Sequence, residues 1–325
     1  ISMTAIVLGV GNAKALFAPE GTATQAAGGD LVHIVEPHEE CVSAFDLSVL
    51  RGDGIFEATT VWRGYPISLE NHLRRLANSA RLMDLPAPNQ EAFTKAANEV
   101  IAHYDDPEPG PLLRILVSRG LDPTTGVGAE HADGNAPGVW MFLDGRGTLN
   151  STDPIALTSR RRGYASDVTA EAPWLLNGAK TLSYAVNQSM HRECDRRHVD
   201  DAVTYTTDGF TLECPNSSIV AQYGERFVTP DPRIGILNGT SQREFFSWAR
   251  QEGYSIEYTK LPLDQLREAD HLYMTHGGWV IPVRALDGKD YGVDAQRIED
   301  INDAIHSGRT HDDALTIAPS GEYEF

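Results

Sequence analysis

One lysine, one glutamate and a hydroxyl-rich turn are the residues best suited to chemistry. Lys180 lies in NGAKTLSYAVN among small, polar and apolar neighbours. Desolvation there would lower its pKa and free the amine to form a Schiff base; the alternative is a lysine that extends its ammonium into water. Glu213 closes GFTLE after a glycine-containing turn. A carboxylate at a strand exit can pair with the protonated ring nitrogen of a heterocyclic cofactor and strengthen that ring as an electron sink; otherwise it is a surface charge. LNGTSQREF sets Thr240 and Ser241 at the start of an expected helix. Amides and hydroxyls at such a terminus can receive phosphate, although Ser or Thr there also serves as a routine cap. Arg75, or its neighbour Arg74, in NHLRRLANSA offers a guanidinium fork for phosphate oxygens or for a surface ion pair. The two side chains point in different directions on a helix, so one pocket takes only one of them.

Mixed α and β structure must position these groups. LVHIV, GIFEATTVW, GYPISL, LLRILVSRG and GVWMFL have the β-branched, aromatic and apolar content of strands. LENHLRRLANSARLMDL carries an apolar stripe at helical spacing that Pro86 ends, and a second helix is expected over 90–103. These elements suit one α+β domain over 31–145, preceded by an arm over 1–30. The polar, turn-forming DGRGTLNSTDP marks a connection, placed at 146–154. A second mixed domain over 155–325 then follows, with strands at IALTS, AVTYTTDGFTLE, FVTP, SIEYTKL and HLYMTH and helices at 180–198, 240–252 and 293–306. The acidic C-terminal end has no pattern of its own and reads as a solvated tail.

Composition excludes several classes. The 325 residues are 41% hydrophobic and 22% charged, the proportions of a globular chain. The net charge of −19 opposes nonspecific binding to nucleic acid or to an anionic membrane. Three cysteines form no dense disulfide pattern and suit a reducing cytoplasm. The apolar run MTAIVLGVG is short and lacks a basic leading region, which makes it a poor secretion signal or membrane span. His191, Cys194 and His198 share helical spacing, yet no complete metal-ligand set is visible around them, so no metal is expected.

Several longer blocks, in a fixed order, carry a resemblance. RGDGIFEATT, HLRRLANSARLMDLP, RILVSRG, PWLLNGAKTLSYAVN, TTDGFTLECPNSSIV and TPDPRIGILNGTSQREFFSWARQEGY are followed by ADHLYM and IPV. Together they resemble the fold-type IV pyridoxal-phosphate enzymes: branched-chain aminotransferases, D-amino-acid aminotransferases and aminodeoxychorismate lyases. RGDGIFE, SARLMDLP and PWLLNGAKTLSYAVN are most similar to the actinobacterial aminodeoxychorismate lyases.

The resemblance implies an α+β fold with a small N-terminal α/β domain, a larger C-terminal mixed-sheet domain, the cofactor in the cleft and a cytoplasmic homodimer. It makes Lys180 the lysine that binds pyridoxal 5'-phosphate and Glu213 the partner of the pyridine nitrogen. Arg75, Thr240 and Ser241 would bind phosphate, and Tyr184 would lie near the phenolic oxygen. Arg119 in VSRG matches the arginine for the substrate carboxylate; Arg114, at an odd offset on the same expected strand, would face the other way. Asp53 and Glu57 would order the pocket wall. At MTHGGWVIPV, His276 and Gly277 stand where many relatives have Gly-Thr. That removes a hydroxyl, leaves a Gly277 amide for phosphate and brings His276 near the substrate.

The reaction implied is abstraction of a proton from the amine-bearing carbon of 4-amino-4-deoxychorismate by Lys180, then expulsion of pyruvate to leave 4-aminobenzoate, a folate precursor. The alternative within the family is an aminotransferase for D-amino acids or, less so, branched-chain amino acids. A noncatalytic binding protein is the alternative of a different class.

Overall fold

The structure is a computed structural model and describes residues 6–23, 28–105, 110–127, 136–145 and 151–317. The chain forms two compact units, Ile1–Thr148 with Ala179–Tyr184, and Leu149–Gly178 with Ala185–Phe325.

The first unit is built on an antiparallel sheet of β1 (Ile6–Gly11), β2 (Val32–Val35), β3 (Gly54–Trp62), β4 (Tyr65–Pro66), β5 (Leu112–Ser118) and β6 (Val139–Asp144), in the order β2-β1-β6-β5-β3-β4. Side chains alternate across the strands. Ile55, Leu113, Ile115, Met141 and Leu143 are buried on one face, against Leu73 and Leu76 of helix α1 (Leu69–Leu82) and Phe93 of α2 (Gln90–Ala102). The Asn89 side chain accepts the Ala92 amide at 3.0 Å and so caps α2. The opposite face carries Phe56, Ala58, Arg114, Leu116 and Phe142, all only half-buried.

Two expectations are corrected here. Residues 1–30 are not simply an arm, because β1 lies inside the sheet, paired with β2 on one edge and β6 on the other. Residues 1–5 and 24–27 fall outside the described residues, as do 146–150 of the connection and the tail from 318. The helix expected from residue 180 begins at Ala185 instead. Residues 179–184 leave the second unit's run of sequence and pair with β3, through an Ile55–Thr181 bridge and the Leu182 amide on Gly54 O at 2.8 Å.

The second unit holds a mixed sheet of β7 (Ile155–Arg161), β8 (Asp201–Tyr205), β9 (Ser218–Tyr223), β10 (Arg226–Pro230), β11 (Ser255–Thr259), β12 (His271–His276), β13 (Trp279–Leu286) and β14 (Lys289–Asp290). The order is β11-β10-β9-β12-β13-β7-β8, with β14 on β13. The β7–β8, β7–β13 and β10–β11 pairs are parallel and the others antiparallel. Leu157, Val203, Ile219, Leu272, Met274, Ile281 and Val283 form a buried cluster with neighbouring apolar side chains. The alternate residues Phe227 and Tyr273 meet Phe245 of α4 (Thr240–Gln251), with Phe227 and Phe245 centroids 5.0 Å apart. α3 (Ala185–Arg197) and α5 (Ala295–His306) complete the long helices among the described residues of this unit. No helix among the described residues is long and apolar enough to cross a membrane.

Candidate functional site

In the first unit, strand alternation sends Phe56 and Glu57 to opposite faces of β3. Lys180 lies over the Phe56 face. Its backbone is held from two elements: its amide donates to Ser79 Oγ of α1 at 3.0 Å, and its carbonyl accepts the Phe56 amide at 3.0 Å. Its Nζ sits 4.4 Å from the Phe56 ring centroid and 5.8 Å from that of Tyr184. The two rings meet edge to face, 5.3 Å apart at 84°. An ammonium at this distance from an aromatic face is attracted to the ring quadrupole. Lys180 is therefore buried, not the exposed lysine of the alternative reading. Tyr184 accompanies it through the bend of residues 181–184 rather than through a shared helix.

His72, Arg75 and Ser79 recur at i, i+3 and i+7 on α1 and so share one stripe of the helix. The first two converge on Glu57. Arg75 donates Nε to Oε1 at 2.8 Å and Nη2 to Oε2 at 2.7 Å, and His72 Nδ1 lies 2.6 Å from Oε2. Burial alone would raise the Glu57 pKa, but the Arg75 charge and the hydrogen bonds outweigh it and bring the group from 4.5 down to about 2. Burial also keeps His72 below its ordinary value, against the pull of Glu57. Arg75 thus presents a permanent positive charge in an orientation fixed by Glu57, while Arg74 pairs with Glu70 at the surface.

The two candidate substrate arginines have different surroundings. Arg119 lies beyond the end of β5. Its Nε donates to Asp53 Oδ2 at 2.8 Å, Nη2 to Met83 O at 2.6 Å and Nη1 to Asp84 O at 3.3 Å. The guanidinium is committed to the carbonyls at the end of α1, where a cation also meets the negative end of the helix dipole. Arg114 is in register with Ala58 and Phe142 and lies 5.3 Å from the Phe142 ring centroid. Cross-strand partners point to the same side, which places Arg114 on the sheet face that carries Phe56.

In the second unit, Glu213 and the hydroxyl turn come together. Glu213 Oε2 accepts the Leu237 amide at 3.1 Å, three residues before α4 begins. Gly239 is the N-cap of α4 and brings no side-chain acceptor to the first amides of the helix. A Cβ on Gly239 would lie 2.3 Å from Ser218 Oγ, so the backbone passes close against that hydroxyl. Thr240 and Ser241 are buried, and Ser241 Oγ accepts the Gly278 amide at 2.7 Å. Thr275, the cross-strand partner of Ser218, is buried with no hydrogen-bond partner for Oγ1 among the described residues. Amides at a helix N-terminus, several hydroxyls and little room for carbon suit a phosphate group.

His276 and Trp279 pair at the ends of β12 and β13, leaving Gly277 and Gly278 as a two-residue turn. Both have positive φ, 55° and 86°. Such a hairpin needs residues that tolerate the left-handed region, which accounts for glycine here. Burial brings the pKa of His276 from 6.5 down to about 4. His276 is expected to be neutral at pH 7 and to titrate near pH 4 by NMR of its ring carbon; a midpoint near 6.5 would show an exposed imidazole.

Sequence reasoning passed over Phe56, Ser79, Ser218 and Leu237. Only Ser79 left a signal, its i+4 spacing from Arg75. The Cys194 thiol is buried, and burial pushes its pKa up to about 11, which leaves it protonated and a poor metal ligand at neutral pH.

A family profile described as Amino-transferase class IV matches residues 54–286. A bifunctional aminodeoxychorismate lyase / D-amino acid transaminase of Mycobacterium tuberculosis is 33% identical over 277 residues, covering 82% of this chain and 90% of that protein. A fold IV transaminase from Curtobacterium pusillum is similar in structure, with a TM-score of 0.81, 32% identity and coverage of 93% of this chain and 99% of its own. The PLP-bound form of a hypothetical aminotransferase from Mycobacterium tuberculosis follows at a TM-score of 0.75 and 30% identity, covering 85% of this chain and 96% of its own.

Proposed function

The chain belongs to the class IV amino-transferase family, and from that premise we propose that it is a pyridoxal-phosphate-dependent lyase converting 4-amino-4-deoxychorismate to 4-aminobenzoate and pyruvate. The observation that carries the reading is Lys180, a buried amine held over Phe56 and Tyr184 with its backbone tied to β3 and α1. The relative at 33% identity is named for the same lyase activity.

When bound, pyridoxal phosphate supplies an electron-withdrawing ring that stabilises charge at the carbon bearing the substrate amine. Lys180 would hold it through the ε-amine, and Glu213, kept in place by the Leu237 amide, would accept a hydrogen bond from the ring nitrogen and so keep that nitrogen protonated. Thr240, Ser241 and the Gly277 turn would hold the phosphate, with the fixed charge of Arg75 as its basic partner. Tyr184 lines the amine. Arg114, on the Phe56 face, is assigned to the substrate carboxylate. The Lys180 amine would remove the proton from the amine-bearing carbon of the substrate and return one later in the sequence.

The second reading is transfer of an amino group from a D-amino acid, because the same relative carries that activity in its name. Both reactions would begin with loss of a proton from the amine-bearing carbon of their own substrate. Protein supplied with pyridoxal phosphate and 4-amino-4-deoxychorismate is expected to form 4-aminobenzoate rapidly with no keto acid added. Exchange between D-alanine and a keto acid with no 4-aminobenzoate would overturn the lyase in favour of the transaminase.

A further inference from the structure

The Gly277–Gly278 turn has no side chain with which to hold its own shape, and α5 holds it from outside. Asn302 is 4% exposed. Its Nδ2 donates to Val280 O at 3.0 Å while its Oδ1 accepts the Val280 amide at 2.8 Å. A carboxamide can satisfy both groups of one peptide residue in this way because it carries a donor and an acceptor side by side. One turn further along α5, His306 Nε2 lies 3.1 Å from Gly278 O. The carbonyl only accepts, so Nε2 is the protonated nitrogen of the ring. Trp279 packs edge-on against the same imidazole, with centroids 4.3 Å apart at 70°. The Gly278 amide in turn reaches Ser241 Oγ at 2.7 Å.

A continuous set of hydrogen bonds therefore runs from α5, through the backbone of the turn, to the first turn of α4. We propose that Asn302 and His306 are positioning residues for phosphate: they fix the glycine turn against Ser241 and so maintain the anion-binding end of α4 without touching the ligand. The inference rests on the phosphate locus proposed above. Through the backbone, α5 supplies the rigidity that the two glycines of the turn lack.

The test compares three ligands on the full-length protein freed of cofactor: pyridoxal 5'-phosphate, pyridoxal without the phosphate, and inorganic phosphate, each titrated by calorimetry. Asn302→Ala and His306→Ala are each expected to weaken binding of the two phosphate-bearing ligands about tenfold, the effect of leaving a buried polar group unpaired. Pyridoxal affinity should change less than about twofold by the same reasoning. His306→Gln, which keeps an N–H donor, should recover most of the loss. Equal losses for pyridoxal and pyridoxal phosphate would overturn the proposal by showing a general structural role, as would folded variants with unaltered phosphate affinity. If Asn302→Ala does not fold, the His306→Ala and His306→Gln pair decides alone. A wild-type protein that binds none of the three ligands would overturn the cofactor reading itself and this inference with it.

Discussion

Lys180→Ala is expected to lower formation of 4-aminobenzoate by a factor of roughly 10² to 10⁴, the range for losing a positioned acid–base group, while leaving the fold in place. The separation of backbone from side chain makes the variant informative. The peptide at residue 180 is anchored by Ser79 and Phe56 through its own amide and carbonyl, and alanine keeps both contacts. What disappears is the ε-amine over the Phe56 and Tyr184 rings, the group proposed above to hold the cofactor and to move the proton. Steady-state turnover beside circular dichroism separates the two effects. A folded Lys180→Ala protein with undiminished turnover would refute the role of this lysine in either the lyase or the transaminase.

Glu57→Ala is expected to give the largest loss of stability, about 3–5 kcal/mol at neutral pH, because it removes the buried carboxylate on which Arg75 and His72 converge. Urea titration of wild type and variant measures it. The pH dependence has a defined sign. The folded-state pKa of Glu57 is about 2, below the ordinary 4.5, so its contribution is complete above the unfolded value and is lost as pH falls from about 4.5 through about 2. His72 acts in the same direction from a higher starting point. Its folded pKa lies below 6.5, so protonation favours the unfolded chain once pH drops beneath that value. The difference in stability between wild type and Glu57→Gln should therefore shrink on acidification below about pH 4.5. A difference that stays constant down to pH 2 would mean that Glu57 carries no ion pair.

Much of this arrangement is legible in the residues themselves. The apolar stripe from Leu69 and the stop at Pro86 mark α1, and GIFEATTVW followed by GYPISL marks the β3–β4 hairpin. LNGTSQREF starts α4 at Thr240, where a hydroxyl-rich terminus was expected. Lys180 shows the limit of local reading. NGAKTLSYAVN has helical composition, but a bridge to Ile55, far away in sequence, holds its first half extended. Tertiary pairing overrides propensity at that point. The surroundings of Arg119 are concealed for a related reason: VSRG looks like continuous strand, yet β5 ends at Ser118, and Arg119 turns to the end of α1. β13 is concealed by Pro282, which a central strand ordinarily excludes. It is tolerated because pairing with β7 begins only at Val283. Asn302 left a readable trace, a polar residue on the helix face that carries Ile298, Ile301 and Ile305. Its partner, the backbone of a turn, has no signature in the sequence.

The most direct test of the central claim is chemical. The protein is incubated with pyridoxal phosphate, reduced with borohydride, digested and mapped by mass spectrometry. The account predicts one reduced pyridoxyl adduct, on Lys180 among the five lysines of the chain, absent from Lys180→Ala. No adduct, or one carried by Lys14, Lys95, Lys260 or Lys289 in place of Lys180, would contradict it.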